Sequence, residues 1–149
     1  MSAMTAVLPA AGRSFDAEAD VLIIGAGAAG LVAALAASEA GAEVVIVERD
    51  AVPSGSTALS AGLIPAAATR FQRAAGIEDS AELFAADIMA KAGNEPDPAI
   101  VSRLTAHVGP VLEWLADRHG LPFDVLTNFS YPGHSARRMH GLPKRTGSE

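Results

Sequence analysis

The chain has 149 residues, half of them apolar, which suits a globular domain with a substantial core and excludes a disordered or fibrous chain. Eleven Lys and Arg against seventeen Asp and Glu give a net charge of -6, so the field of the whole chain repels nucleic acid and anionic membrane, and any anion must be bound locally. With no cysteine there is no disulfide framework, thiolate nucleophile or Cys-based metal site; a reducing compartment is permitted, and cytoplasm is the expectation.

Residues 1–19 read as a flexible leader: Arg13, Asp16 and Glu18 are scattered among Ala, Ser and Pro, without the basic start and long apolar run of a secretory signal. From Val21 to Ser38 the chain is uncharged, but Gly25, Gly27 and Gly30 interrupt it and no Lys or Arg flanks it, which argues against a membrane segment. Val21 to Ile24 is instead a branched apolar run ending at a glycine, the pattern of a parallel strand buried on both faces. Ala28 to Ala40 predicts a buried helix, with Gly41 placed for a left-handed cap. Glu43 to Val47 predicts a second strand, so strand, helix and strand form a right-handed crossover unit.

After Asp50 the composition changes, and Pro53 to Gly62 reads as a loop. A helix is predicted to start at Asp79 or Ser80, with Ala81, Phe84, Ala85 and Ile88 as its apolar stripe, Asp87 and Lys91 as an exposed pair, and Gly93 as its end. Asp97 and Pro98 then open a second helix, whose apolar stripe is Val101, Leu104, Val108, Val111 and Leu115. Gly109 and Pro110 are expected to kink or break it, because proline lacks the donor and its ring meets the preceding turn. Gly120 and Pro122 close that segment, Phe123 to Leu126 is a candidate third strand, and Asn128 to Glu149 reads as loop.

The chemistry concentrates at the GxGxxG of Gly25, Gly27 and Gly30, which sits between a strand and a helix, the context that gives this short pattern its meaning. The first glycine permits a tight turn, the second lets backbone approach a pyrophosphate, and the third lets the helix pack on the strand. The N–H groups of the turn and first helical residues, including Ala28 and Ala29, then face the phosphates at the positive end of the helix dipole. Glu48, at the end of the second strand, is placed to accept hydrogen bonds from the hydroxyls of an adenosine ribose and to reject a 2′-phosphate by charge.

The stretch Ser54 to Ala67, SGSTALSAGLIPAA, closely resembles the flavin-contacting loop of the fumarate reductase and succinate dehydrogenase flavoprotein family. That family includes soluble flavocytochrome fumarate reductases, aspartate oxidase and ketosteroid dehydrogenase relatives. The resemblance extends to GAGAAG at Gly25 to Gly30, VERD at Val47 to Asp50, DPA at Asp97 to Ala99, EWL at Glu113 to Leu115 and GHS at Gly133 to Ser135. It covers nearly the whole chain after Asp20.

The resemblance implies a Rossmann-like α/β FAD-binding domain with a parallel sheet over residues 20–149. It implies FAD as cofactor, a small-molecule substrate, and hydride exchange between flavin N5 and a carbon–carbon bond next to a carbonyl or carboxylate. Small side chains and exposed backbone let the 54–67 loop approach the flavin ring, with the hydroxyls of Ser56, Thr57 and Ser60 and the backbone at Gly62 as candidate contacts. The succinate dehydrogenase branch joins a histidine of this loop covalently to the flavin; here Ser56 stands at that place beside Thr57, which implies non-covalent FAD. The family's proton donor and most substrate ligands come from later segments, so no catalytic residue is assigned, and two strands do not complete a doubly wound sheet. The chain is therefore expected to be the N-terminal part of a longer enzyme. A nicotinamide-dependent dehydrogenase and a non-catalytic dinucleotide-binding module remain as alternatives.

His107, inside a helix, and His119, near a helix end, read as structural. His134 and His140 fall with Arg137, Arg138, Lys144 and Arg145 in a Gly- and Pro-containing segment, a basic cluster that suits either a carboxylate or flavin edge or a solvated loop. No His and carboxylate spacing suggests a metal site, and no Ser, His and acid set suggests acyl transfer.

Overall fold

Strand β1 (Val21–Ile24) and strand β2 (Val44–Val47) lie side by side in parallel, with Val21 opposite Val44 and Ile24 opposite Val47. The structure is a computed structural model that describes residues 10–149. Between the strands runs helix α1 (Ala28–Glu39), an alanine- and leucine-rich segment with high helical propensity. It ends where Ala40 donates to the Ala36 carbonyl and Gly41, left-handed at φ 88°, donates to the Ser38 carbonyl. Strand, helix and strand thus occupy the expected places within a unit ending at Val52. None of its described residues is buried; Leu22, Ile24, Val45, Ile46 and Val47 all stay exposed.

The second unit, from Pro53 to Glu149, contains every buried side chain among the described residues. Within the stretch expected to be loop, Ser56–Leu59 forms a single helical turn, α2. Strand β3 (Ile64–Pro65) and helix α3 (Arg70–Ala74) follow, neither anticipated above. Helix α3 starts at a reciprocal cap: the Thr69 hydroxyl accepts the Gln72 N–H at 3.1 Å, and the Gln72 side chain accepts the Thr69 N–H at 3.1 Å. Helix α4 (Ala81–Lys91) is capped by Ser80, whose hydroxyl accepts the Leu83 N–H, and it buries Phe84 as its stripe requires.

Helix α5 (Pro98–His119) departs from the expectation in two ways. It runs unbroken through Pro110, because the lost bond concerns only the Ala106 carbonyl, and both residues are exposed, so that carbonyl is not left unpaired in a core. Its buried face is Val101, Thr105, Gly109, Leu112 and Leu115, whereas Leu104 and Val111 are exposed. Gly109 decides the rotation: a Cβ there would lie 2.6 Å from the Ala67 carbonyl oxygen, so this is the side that approaches other backbone most closely. Strand β4 (Asp124–Val125) falls inside the predicted Phe123 to Leu126. The tail read as loop holds strand β5 (Met139–Gly141), which pairs antiparallel with both β3 and β4 and supplies the buried Met139 and His140.

Candidate dinucleotide-binding site

In the unit ending at Val52, the turn from β1 to α1 is shaped by its glycines. Gly25 takes φ 103°, a conformation that side chains rarely adopt, and donates its N–H to the Val47 carbonyl at 2.8 Å. Gly27 is the N-cap of α1, with extended angles of φ -76° and ψ 174°. A Cβ at Gly30 would collide with the Gly25 carbonyl oxygen and press within 3.2 Å of Ile23 Cγ2. The N-cap Gly27 contributes no side-chain cap and no acidic residue stands in the first turn of α1, whose dipole is positive at this end.

Glu48 meets this turn directly. Its Oε2 accepts the Ala26 N–H at 2.8 Å and its Oε1 accepts the Asp50 N–H at 3.1 Å. The bond from Ala26, followed by that from Asp50, holds the carboxyl below its ordinary range, so it stays ionised while exposed. The neighbouring Arg49 side chain bonds Asp50, at 3.2 Å.

The other candidate contacts lie in the unit beginning at Pro53. Ser56 and Thr57 open α2, and Ser56 is exposed. Ser60 is more committed than its hydroxyl suggests, since it donates to the Thr57 carbonyl at 2.7 Å and accepts the Gly62 N–H at 3.0 Å. A ligand would meet its remaining lone pair, not its proton. Gly62 takes φ 63°, and a Cβ there would lie 2.6 Å from the Thr146 carbonyl oxygen.

Two members of the basic cluster around residue 140, Arg138 and His140, are closed to an external anion. Arg138 is fully buried, bonding Asp79 at 2.7 and 2.8 Å and Asp87 at 2.5 Å. Asp87 is therefore no exposed partner of Lys91, as its helical spacing suggested; it also accepts from the Ser135 N–H at 2.7 Å and the Ser135 hydroxyl at 2.6 Å. Burial alone would raise the Asp87 carboxyl, but the bonds from Ser135 and Arg138 prevail and bring it down to about 2. His140 is fully buried, with Nδ1 2.8 Å from the Arg138 carbonyl and Nε2 2.8 Å from the Thr69 hydroxyl. That pairing makes Nδ1 the donor and Nε2 the acceptor, and burial lowers the pKa, keeping the ring neutral.

His134 is half-buried against the edge of Phe84, its ring centroid 5.6 Å away. His107 bonds the Arg103 carbonyl within its own helix at 2.7 Å, and His119 packs on Trp114 at 4.8 Å, both as structural residues do. Sequence reasoning missed the Arg138 network because its partners are 51 and 59 residues away, although the Thr69 and Gln72 spacing is a legible cap signal. Among the described residues no cluster could hold a metal ion, and no helix is long and apolar enough to cross a membrane.

The family model described as an FAD binding domain matches residues 20–148. The chain belongs to this FAD-binding family. Its cofactor is FAD. Among curated relatives, it is 39% identical to an NADH:fumarate oxidoreductase of Klebsiella pneumoniae over 81% of this chain and 13% of that protein. It is 35% identical to a urocanate reductase of Eggerthella lenta, over 88% and 22%. It is 40% identical to a cytochrome-type fumarate reductase of Shewanella frigidimarina, over 81% and 21%. The chain thus spans about a fifth or less of the length of these relatives. Among solved structures, the open conformation of a flavocytochrome c3 fumarate reductase matches with a TM-score of 0.77 and 32% identity, over 88% of this chain and 23% of that one. A 3-ketosteroid-delta4-(5alpha)-dehydrogenase from Rhodococcus jostii matches with a TM-score of 0.69 and 35% identity, over 76% and 24%. The expected α/β architecture and flavoprotein family are therefore those of the chain. A turn with glycine at the N-cap of α1 and no acidic residue in the first helical turn fits the pyrophosphate of FAD.

Proposed function

We propose that this chain is the N-terminal, nucleotide-holding part of an FAD-dependent oxidoreductase acting on a small molecule, at a carbon–carbon bond next to a carbonyl or carboxylate. The observation that carries the reading is the glycine turn at the start of α1 with the ionised Glu48 beside it. The backbone of Gly27, Ala28 and Ala29 would face the pyrophosphate, Gly25 and Gly30 would shape the turn that holds it, and Glu48 would accept the ribose hydroxyls. Ser56, Thr57, Ser60 and Gly62 would lie toward the flavin, without a covalent link. When bound, FAD supplies the hydride-accepting N5. The similarity to fumarate and urocanate reductases supports reduction of an activated double bond as the reaction class. We assign no catalytic residue to this chain.

The test is the absorption spectrum of the purified full-length gene product. A yellow protein that releases all its flavin on acid denaturation is expected. A colourless protein that requires a nicotinamide would overturn the assignment, and flavin migrating with the denatured polypeptide would overturn the non-covalent link.

A further inference from the structure

Two successive N–H groups of the glycine turn are fastened to two successive residues at the end of β2: Gly25 to the Val47 carbonyl at 2.8 Å, and Ala26 to the Glu48 carboxylate at 2.8 Å. An N–H used this way does not point at a phosphate. Its effect is to fix the turn, whose Gly25 at φ 103° is intrinsically free to take other conformations. The second carboxylate oxygen of Glu48 accepts the Asp50 N–H at 3.1 Å, so the side chain is itself held from two directions. Each oxygen still keeps a lone pair for a ribose hydroxyl.

We infer that Glu48 is a positioning residue for the pyrophosphate turn as well as the ribose acceptor, holding Ala26 in place before the nucleotide arrives. The inference rests on the dinucleotide-binding reading above and adds a coupling to it: recognition of the ribose and of the pyrophosphate depend on one carboxylate. The requirement is specific to an acid. A glutamine of the same length has one acceptor and one donor group, so it must abandon either the Ala26 or the Asp50 N–H. Glu48 is exposed, so Glu48→Gln leaves no cavity and no buried charge.

Titration of the full-length apoprotein with ADP and with 2′,3′-dideoxy-ADP, in wild type and in E48Q, separates the two roles. The dideoxy nucleotide has no hydroxyl for Glu48 to accept, so a loss of affinity for it in E48Q passes through the turn. The expected result is a loss of about fivefold to tenfold in affinity for dideoxy-ADP, the consequence of one ordinary hydrogen bond. The sign is diagnostic, because removing a negative charge near a pyrophosphate would by itself tighten binding. Faster solvent exchange of the Ala26 amide in unliganded E48Q is expected alongside. Equal or tighter binding of dideoxy-ADP by E48Q overturns the positioning role and leaves Glu48 a ribose acceptor alone. Failure of the wild-type protein to bind either ADP or FAD would instead overturn the dinucleotide reading, and this inference with it.

Discussion

Gly27 begins α1 with φ -76° and ψ 174°, angles open to any residue, so backbone strain does not require a glycine there. Gly27→Val is therefore expected to leave the melting temperature of the full-length protein little changed while abolishing FAD binding, measured by calorimetry. Gly25 and Gly30 differ, because φ 103° at one and the neighbouring carbonyl at the other make them conformational requirements. The place of all three between β1 and α1 was legible from spacing, as was that of Glu48 at the end of β2. The bond from Ala26 to Glu48 was not, since nothing in a sequence reports which backbone donor a carboxylate finds. Arg138 was misleading for the opposite reason: a residue that usually marks a wet or ligand-binding surface is here neutralised by Asp79 and Asp87 with no exposure at all. The low pKa of Asp87, about 2 against an ordinary 3.8, gives stability that is present above pH 3.8 and lost as pH falls toward 2. Asp87→Asn should remove much of that acid dependence, so its urea midpoint changes less than that of the wild type between about pH 5 and about pH 3.

Helices and strands were legible in proportion to their length and periodicity. β1, α1, β2 and α4 carry enough residues for propensity to register, whereas β3 and β4 have only two each and β5 three, too few to show a period. These short strands exist because they pair across the chain, Ile64 with His140 and Val125 with His140. In α5 the period was correct and the phase was not. Two apolar stripes compete on that helix, and the buried one is selected by the missing side chain of Gly109, not by the larger hydrophobes. Gly109→Ala is accordingly expected to destabilise the protein by about 1–3 kcal/mol, despite alanine's better helical propensity, because the added methyl meets the Ala67 carbonyl. Chemical denaturation of the variant beside Pro110→Ala checks this; the proline variant, altered on an exposed face, should be no less stable than the wild type.

The two units differ in what holds them. The one from Pro53 onward buries Ala66, Ala67, Phe84, Leu112, Leu115, Val125, Leu126 and Met139, while the described part of the one ending at Val52 buries nothing. Its sheet has two strands, with Ile24 84% and Leu22 61% exposed. An apolar parallel pair of this kind needs cover on both faces. The 149-residue chain studied alone is therefore expected to bind FAD weakly, with the amides of β1 and β2 exchanging faster than those of α5. Tight binding by calorimetry together with uniform exchange protection would contradict that expectation. Composition could indicate a globular chain, but it could not show that the core would gather in only one of the units.

The sequences VLII and VVIV in β1 and β2 have no polar side to tell one face from the other, so a strand slipped by one residue would look much the same to its neighbours. Alignment must come from elsewhere, and each end of the pair supplies it. At one end Asp20 accepts the Glu43 N–H at 2.8 Å; at the other Glu48 accepts the Ala26 N–H at the same distance. A slip in either direction would disconnect both carboxylates at once. Two acidic residues outside the apolar ladder thus act as end stops for it, and the carboxylate proposed to hold the ribose also keeps the strands in step.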